Sequence, residues 1–311
     1  MFYIQLNMLE LFNIKDLDKE KKILVAVSGG SDSLALLLLA NKWANISSKK
    51  ICAITIDHKI REESKDEAIY VNNLCKNYGI EHIIKTCQIP VKSEEEARNV
   101  RYNFIFDYMK EQNIKVVLLA HHIQDNAENF LIRLFRGSGI NGLSSMEMIS
   151  YRNDYTIIRP FLNVRKDELQ QYLNSENIKW CEDKSNEDEK YLRNKIRSFL
   201  NSFTDKDLII NRINKTIQTL QKANNIIKNK IETVNPSDGC VVFSLSKFNK
   251  MEQETQFQYI STVIEKISDS PKKPRADGIE KLIEKIQTIK NYTLHGCVFH
   301  KLKNVIVVFK E

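Results

Sequence analysis

The sequence predicts an α/β protein with a parallel, doubly wound sheet, followed by a smaller, mainly helical α+β domain. Two observations indicate this fold. Short apolar, β-branched runs alternate with segments of helical length over the first 140 or so of the 311 residues, which is the pattern of βαβ units. Polar clusters follow three of the predicted strands, where open parallel sheets bind their ligands.

The predicted elements follow one another in a regular order. Strands are expected at KKILVAV (21–27), KKICAITIDHKI (49–60), EHIIKTCQI (81–89) and IKVVLLAHH (114–122), because their apolar runs are typical of strands covered on both faces. Helices are expected at 33–44, 64–80, 93–113 and 125–137. Gly79 is a predicted C-cap, and Ser93 with Glu96 has the spacing of a capping box.

The chain changes character near residue 200. A long helix is expected at 207–234, then two shorter helices and a hairpin near the end of the chain. We therefore expect a domain boundary near Ser202, with residues 1–202 as the first domain and 203–311 as the second.

Composition places the chain among soluble globular proteins, with 42% hydrophobic and 28% charged residues. No apolar run approaches the roughly 20 residues that span a bilayer. The first 20 residues lack a basic flank and a small-residue cleavage site, so we expect a cytoplasmic protein without a membrane partner. The six cysteines form no CxxC pair, which argues against a zinc ribbon or a clustered disulfide framework.

The net charge of +7 is distributed unevenly. Residues 201–311 carry 18 Lys and Arg against 12 Asp and Glu, whereas residues 1–200 carry 29 against 28. A basic second domain suits a polyanionic partner. A solvated lysine-rich surface explains the charge equally well.

The loop SGGSDS after the first strand is predicted to bind an anion. It joins a strand to a helix, so backbone N–H groups and the helix dipole favour negative charge there. The candidate ligand-binding residues are Ser28, Gly29, Gly30, Ser31, Asp32 and Ser33. The loop lacks the lysine and spacing of a Walker A motif. Asp32 indicates either a Mg²⁺ ion or a helix cap, and a simple capped turn is the alternative for the whole loop.

Two further polar clusters follow predicted strands, Asp57-His58 and His121-His122. Asp125 and Glu128 are three residues apart and share one helix face. Paired carboxylates hold Mg²⁺, bind an ammonium group or accept a proton. The alternative for Asp125 alone is a solvated helix start. His121 and His122 have the spacing of metal ligands with Asp125, but no cysteine or third histidine is near, which favours hydrogen bonds to a nucleotide or to the sheet edge.

The SGGxDS loop resembles the pyrophosphate-binding loop of the N-type ATP pyrophosphatases, or PP-loop enzymes. Within the N-type ATP pyrophosphatases, the chain is most similar to the tRNA(Ile)-lysidine synthetase family. Six stretches carry this resemblance: DHKIREES (57–64), ARNVRY (97–102), LAHHIQDNAEN (119–129), RLFRGSGINGLSSM (133–146), RPFLNVRKDEL (159–169) and WCEDKSNEDEKYLRNKIR (180–197). The match covers nearly all of residues 21–200 and is looser beyond them. Asn129 departs from the threonine more common in the family.

The resemblance implies an ATP- and Mg²⁺-dependent ligase that modifies cytidine 34 in the CAU anticodon of isoleucine tRNA. ATP adenylates the base through its C2 oxygen and releases pyrophosphate. Free L-lysine then attacks C2 and AMP leaves, which forms lysidine and switches decoding from AUG to AUA. The implied catalytic residues are Asp125, Glu128, Arg101 and Arg193. The second domain is expected to grip tRNA, and a homodimer is a candidate assembly.

The other arginines keep alternatives open. Arg101 contacts phosphate or forms a surface ion pair with Glu94 or Glu96. Arg193 and Arg197 are four apart and share a helix face, and Arg136 precedes a glycine loop where tRNA or ATP is expected. Core packing is expected for Phe104, Phe106, Phe130 and Phe135. Another N-type pyrophosphatase, and a non-catalytic nucleotide- or RNA-binding protein, are the alternative functions.

Overall fold

The computed structural model describes residues 8–57, 63–87, 94–152, 154–182, 192–231, 234, 236–268 and 274–311. The chain forms two compact units. The first comprises Met1–Ile132 and Ser145–Lys215, and the second comprises Arg133–Ser144 and Thr216–Glu311. The predicted domain boundary near Ser202 stays a prediction, as do the roles expected of the two domains.

The first unit is built on a six-stranded sheet in the order β3-β2-β1-β4-β6-β5. Its strands are β1 (Lys22–Ala26), β2 (Lys50–Asp57), β3 (Glu81–Thr86), β4 (Val116–Leu118), β5 (Ile149–Arg152) and β6 (Tyr155–Ile158). All neighbouring pairs are parallel except β5 and β6, which form an antiparallel hairpin at one edge. The predicted doubly wound α/β fold is confirmed, with one antiparallel strand that the sequence did not predict.

Helices connect and cover these strands. In chain order they are α1 (Lys15–Asp18), α2 (Ser31–Ile46), α3 (Glu63–Asn77), α4 (Glu94–Glu111), α5 (Ile123–Phe135), α6 (Ile140–Leu143), α7 (Lys166–Ser175), α8 (Leu192–Asn201), α9 (Lys206–Lys230), α10 (Leu245–Phe248), α11 (Gln253–Ile267) and α12 (Ala276–Lys285). A short 3-10 turn covers Glu10–Phe12. The predicted helix at 33–44 begins earlier, at Ser31, so the SGGSDS loop runs directly into its first turn. Ser93 and His58 lie outside the described residues.

Alternation along β1 shows why both faces of this sheet are covered. Ile23 and Val25 are buried in one apolar cluster together with α2, whereas Leu24 is buried in a second cluster together with α4. Successive strand residues point to opposite faces, so a strand covered on both sides needs an unbroken apolar run. The apolar sequence ILVAV meets this need, and the predicted strand β1 is confirmed.

The second unit contains a four-stranded antiparallel sheet in the order β7-β10-β9-β8. Its strands are β7 (Cys240–Ser244), β8 (Asn291–Leu294), β9 (Cys297–Leu302) and β10 (Val305–Lys310). Residues of α11 and α12, among them Ile260, Ile264 and Leu282, share one buried cluster with Phe299 and Val308 of the sheet. The prediction of a smaller α+β region is confirmed.

Core packing holds for Phe130, which is buried, but the same expectation is wrong for Phe135, which is 64% exposed. Phe135 is the last residue of α5, and its neighbour Leu134 is also exposed. The apolar face of α5 therefore ends before the helix does.

Candidate active site

The SGGSDS loop connects β1 to α2, as predicted. Gly29 has a φ of +85°, in the left-handed region that other residues rarely adopt. A Cβ atom on Gly29 would meet nothing closer than 3.6 Å. Glycine is therefore required here by backbone conformation rather than by lack of space.

Hydrogen bonds within the loop fix its shape. The Ser28 N–H donates to Ser33 Oγ at 3.1 Å, and the Ser33 hydroxyl donates to the Gly30 carbonyl at 3.0 Å. The N–H of Cys181 donates to the Gly29 carbonyl at 3.0 Å. The Ser33 hydroxyl is thus engaged inside the loop. The first N–H groups of α2 have no acceptor within the helix, which leaves them as the donors for an anion.

His122 joins the loop to the carboxylates of α5. Its Nε2 lies 3.5 Å from Asp32 Oδ2 and 3.4 Å from Asp125 Oδ2. The backbone N–H of His122 donates to Asp125 Oδ2 at 3.1 Å, and the N–H of Asp125 lies 3.4 Å from His122 Nδ1. This reciprocal pattern begins helix α5 and holds the imidazole between the two carboxylates.

These contacts determine the charges of the cluster. Burial alone would lower the pKa of His122, but Asp125 and Asp32 together outweigh it and raise that pKa above its ordinary value. Burial alone would raise the pKa of the Asp125 carboxyl, yet His122 and Arg193, with a smaller contribution from His121, bring it down to about 2. Asp125 is therefore ionised at neutral pH and is a weak base.

Glu128 is held by two arginines from α8. Arg193 Nε donates to Glu128 Oε2 at 2.8 Å, and Arg197 donates from Nε to Oε1 at 2.8 Å and from Nη2 to Oε2 at 3.1 Å. Arg193 also donates from Nη2 to Asp125 Oδ1 at 3.0 Å. Arg193 and Arg197 share one face of α8, and Asp125 and Glu128 share one face of α5. These two faces lie opposite each other, so the two arginines donate hydrogen bonds to the two carboxylates.

Hydrogen bonds between α5 and α9 hold α5 in place. The Asn126 amide donates to Asn214 Oδ1 at 3.0 Å, and the Asn214 amide donates to the Ile123 carbonyl at 3.1 Å. Both asparagines are buried. The Asn126–Asn214 pair was not predicted from the sequence. The available signal was that Asn214 occupies an apolar position, between Ile210 and Ile217 at helical spacing.

The other predicted residues lie in different settings. Asp57 is buried at the end of β2 and accepts a hydrogen bond from Ser64 at 2.7 Å. His121 has a pKa lowered to about 3 by burial, and its Nδ1 has no hydrogen-bond partner among the described residues. Arg101 is exposed on α4, and Arg136 is exposed in the second unit. The amide of Asn129, the departure from the family pattern, donates to Ser145 Oγ at 2.9 Å.

The described residues contain no group of three or more His, Cys, Asp or Glu side chains arranged as a metal site. No described helix has the length and apolar content needed to cross a membrane.

A family model described as a PP-loop domain matches residues 3–203. A tRNA(Ile)-lysidine synthase of Rickettsia felis is 37% identical over 308 residues, which cover 93% of this chain and 70% of that protein. The chain belongs to the tRNA(Ile)-lysidine synthase family. A second member, from Orientia tsutsugamushi, is 34% identical, with 94% of this chain and 70% of that protein covered.

A solved structure with a similar fold agrees with the fold described above. The U34-tRNA thiolase NcsA from Methanococcus maripaludis, solved with its [4Fe-4S] cluster, has a TM-score of 0.56 at 16% identity, covering 70% of this chain and 78% of that one. This likeness concerns the fold alone. The predicted family is confirmed by the sequence matches, and the chain is an ATP-dependent enzyme of a tRNA-modifying family.

Proposed function

We propose that this enzyme joins the ε-amine of L-lysine to C2 of cytidine 34 in the CAU anticodon of isoleucine tRNA. In the first step the C2 oxygen attacks the α-phosphorus of ATP and pyrophosphate leaves. In the second step the lysine ammonium gives one proton to solvent and the free amine attacks C2. The C2–O bond breaks as AMP departs with the former C2 oxygen, and the attacking nitrogen releases its second proton to solvent. The product pairs with adenosine, which changes the codon that the tRNA decodes.

The contact between His122 and both Asp32 and Asp125 carries this proposal. It links the loop expected to hold phosphates to the carboxylates expected to meet the second substrate. A reaction that releases pyrophosphate and then accepts a cationic amine needs these two kinds of group side by side. The N–H donors at the start of α2 would stabilise the charge that develops on the departing pyrophosphate.

The two carboxylates of α5 take different roles in our proposal. The side chain of Asp125 is 16% exposed, whereas that of Glu128 is 3% exposed and has both oxygens engaged by arginines. Asp125 is therefore the carboxylate that a substrate can reach, and we assign it to the lysine ammonium. Glu128 is a positioning residue that holds Arg193 and Arg197.

Mg²⁺ fits the donor set at the loop. Mg²⁺ in nucleotide-using enzymes commonly takes one or two carboxylates together with phosphate oxygens and water. Asp32 provides one such carboxylate, and its side chain is 25% exposed beside the start of α2. Asp32 would hold the ion, which when bound supplies positive charge to phosphate oxygens. The candidate homodimer stays a prediction.

The test combines purified protein with ATP, radiolabelled lysine and a transcript of the isoleucine tRNA. We expect lysine to enter the tRNA, and the release of pyrophosphate and AMP to require all three components. The methionine tRNA with the same anticodon is the control and should not be labelled. Pyrophosphate release at full rate without tRNA would contradict the assignment.

A further inference from the structure

Three aromatic rings stack along α4 and β6 of the first unit. Tyr102 and Phe106 have ring centroids 5.7 Å apart with an interplanar angle of 26°. Phe106 and Tyr155 follow at 5.2 Å and 11°. Two of the rings are one turn apart on α4 and the third begins β6, so the stack crosses from helix to sheet.

Three exposed cations lie over these rings. The Arg98 guanidinium is 5.6 Å from the Tyr102 centroid, and the Arg152 guanidinium is 5.5 Å from Tyr102 and 5.3 Å from Phe106. The Lys115 Nζ is 5.8 Å from the Tyr155 centroid. We call these six residues the Arg–aromatic ladder: Arg98, Tyr102, Phe106, Lys115, Arg152 and Tyr155.

No carboxylate side chain that the structure describes forms an ion pair with a ladder cation. Among the described residues, Arg98, Arg152 and Lys115 make ring contacts and no ion pair. Exposed carboxylates do lie near the ladder cations in sequence, among them Glu96, Asp107, Glu111 and Asp154, and Glu111 pairs with Lys85 instead. Arg159 adds a buried guanidinium nearby, which donates to the Glu147 carbonyl at 3.0 Å and to Ser150 Oγ at 2.9 Å.

The ladder begins close to the candidate active site. The charge of Arg98 is near enough to His121, the residue before His122 of the site, to help lower the pKa of the His121 imidazole. At the other end, Arg152 is the β-ladder partner of Tyr155, the first residue of β6. The candidate site lies at the carboxyl ends of the parallel strands, and Tyr155 is at the amino end of its strand. The ladder therefore extends from the carboxyl ends of the strands toward their amino ends.

Stacking prepares these cations for a polyanion. A guanidinium lying on a ring keeps its N–H edge directed into solvent, and the ring restricts its rotamers before a ligand arrives. Phosphate accepts such planar donors well.

We propose that Arg98, Arg152 and Lys115 bind the sugar–phosphate backbone of the tRNA substrate and so guide it to the active site. This inference rests on the proposed function, because it names a contact surface for the same substrate. Cations that contact phosphates position a nucleic acid without reading its sequence, so a row of three cations suits the backbone rather than particular bases.

The test measures the dissociation constant of isoleucine tRNA at several salt concentrations. The variant Arg98→Gln/Lys115→Gln/Arg152→Gln removes the charges and keeps the rings. Each phosphate contact contributes roughly 0.7 to 0.9 to the slope of log Kd against log salt, so we expect the slope to fall by about two to three. The control variant Lys15→Gln/Lys19→Gln/Lys76→Gln removes three exposed lysines of the same unit that lie outside α4 and over no described ring.

We expect the control variant to change the slope by less than half as much as the triple ladder variant does. The melting temperature of the triple ladder variant should lie within a few degrees of that of the wild type. Arg98→Lys/Arg152→Lys keeps the charge without the planar fork and should retain most of the slope with weaker binding. A ladder variant with the slope and affinity of the wild type would overturn the inference. A wild-type protein that binds isoleucine tRNA but never incorporates lysine would instead contradict the proposed function.

Discussion

Two arginine-rich regions of the first unit use the same side chain in different ways. In the inner region, Arg193 and Arg197 donate to Glu128, which is almost fully buried. In the outer region, Arg98 and Arg152 lie on aromatic rings and have no described carboxylate partner. The partner that the fold supplies therefore decides whether an arginine shapes the interior of a site or presents its charge to solvent.

The energetics of the two regions should differ accordingly. A buried carboxylate loses its hydration, and the loss is offset only by several charge-assisted hydrogen bonds. Removing one partner leaves the others uncompensated. An exposed cation over a ring remains hydrated and contributes on the order of 0.5 to 1 kcal/mol. Stability measurements should thus separate the two regions.

The largest effect is expected from Glu128→Ala. It leaves two guanidinium groups without their carboxylate, so we expect the free energy of unfolding to fall by about 3 kcal/mol and lysine incorporation to be lost. Urea denaturation and the incorporation assay measure both. Glu128→Gln keeps the side-chain shape and should be the milder change. An alanine variant as stable as the wild type would remove the distinction between the two regions.

The second-largest effect is expected from the buried Asn126–Asn214 pair. Asn214→Ala leaves the Asn126 amide and the Ile123 carbonyl without a buried partner, which should lower the free energy of unfolding by about 2 kcal/mol. Asn211 is exposed on the same helix, and Asn211→Ala is the matched control. Thermal unfolding of both variants is the measurement, and equal melting temperatures would show that the buried pair contributes nothing.

A smaller stability change is expected in the loop beside the inner region. Gly29→Ala should cost about 1 kcal/mol, because alanine is strained at a φ of +85°. Gly79→Ala imposes a similar strain at a φ of +66° in an exposed turn. We expect ATP-dependent pyrophosphate release to fall at least tenfold for the first variant only. Equal losses in both would mean that the loop conformation has no special role.

The outer region should show the smallest effect on stability and a distinct effect on kinetics. Arg98→Gln is expected to change the free energy of unfolding by less than about 1 kcal/mol. It should raise the KM for tRNA and leave kcat unchanged, whereas Arg193→Gln should lower kcat. Steady-state kinetics with varied tRNA distinguish the two. A lower kcat for Arg98→Gln would place Arg98 with the inner region.

Much of the fold followed from local pattern. The strands β1, β2 and β4 were predictable because buried parallel strands need continuous apolar runs. The hairpin of β5 and β6 was not, since ISYR and YTII are four residues each and too short to show a period. The boundaries also shifted, as when α2 began at Ser31.

The site was predictable only where its residues are neighbours in sequence. The spacing of Asp125 and Glu128, and that of Arg193 and Arg197, placed each pair on one helix face. Spacing could not show that the two pairs meet, nor that Glu128 would be enclosed while Asp125 stays reachable. The Arg–aromatic ladder was missed for the same reason, because Arg98, Lys115 and Arg152 come together only through the packing of α4 and the strand order of the sheet.

The most direct test of the account identifies the modified nucleoside and counts the products. Wild-type enzyme and Asp125→Asn are incubated with ATP, lysine and isoleucine tRNA, and the digested tRNA is analysed by mass spectrometry. We predict one lysine per tRNA at cytidine 34, with one AMP and one pyrophosphate released for each, and no product from Asp125→Asn. Lysine found at another nucleotide, or full modification by Asp125→Asn, would contradict the account.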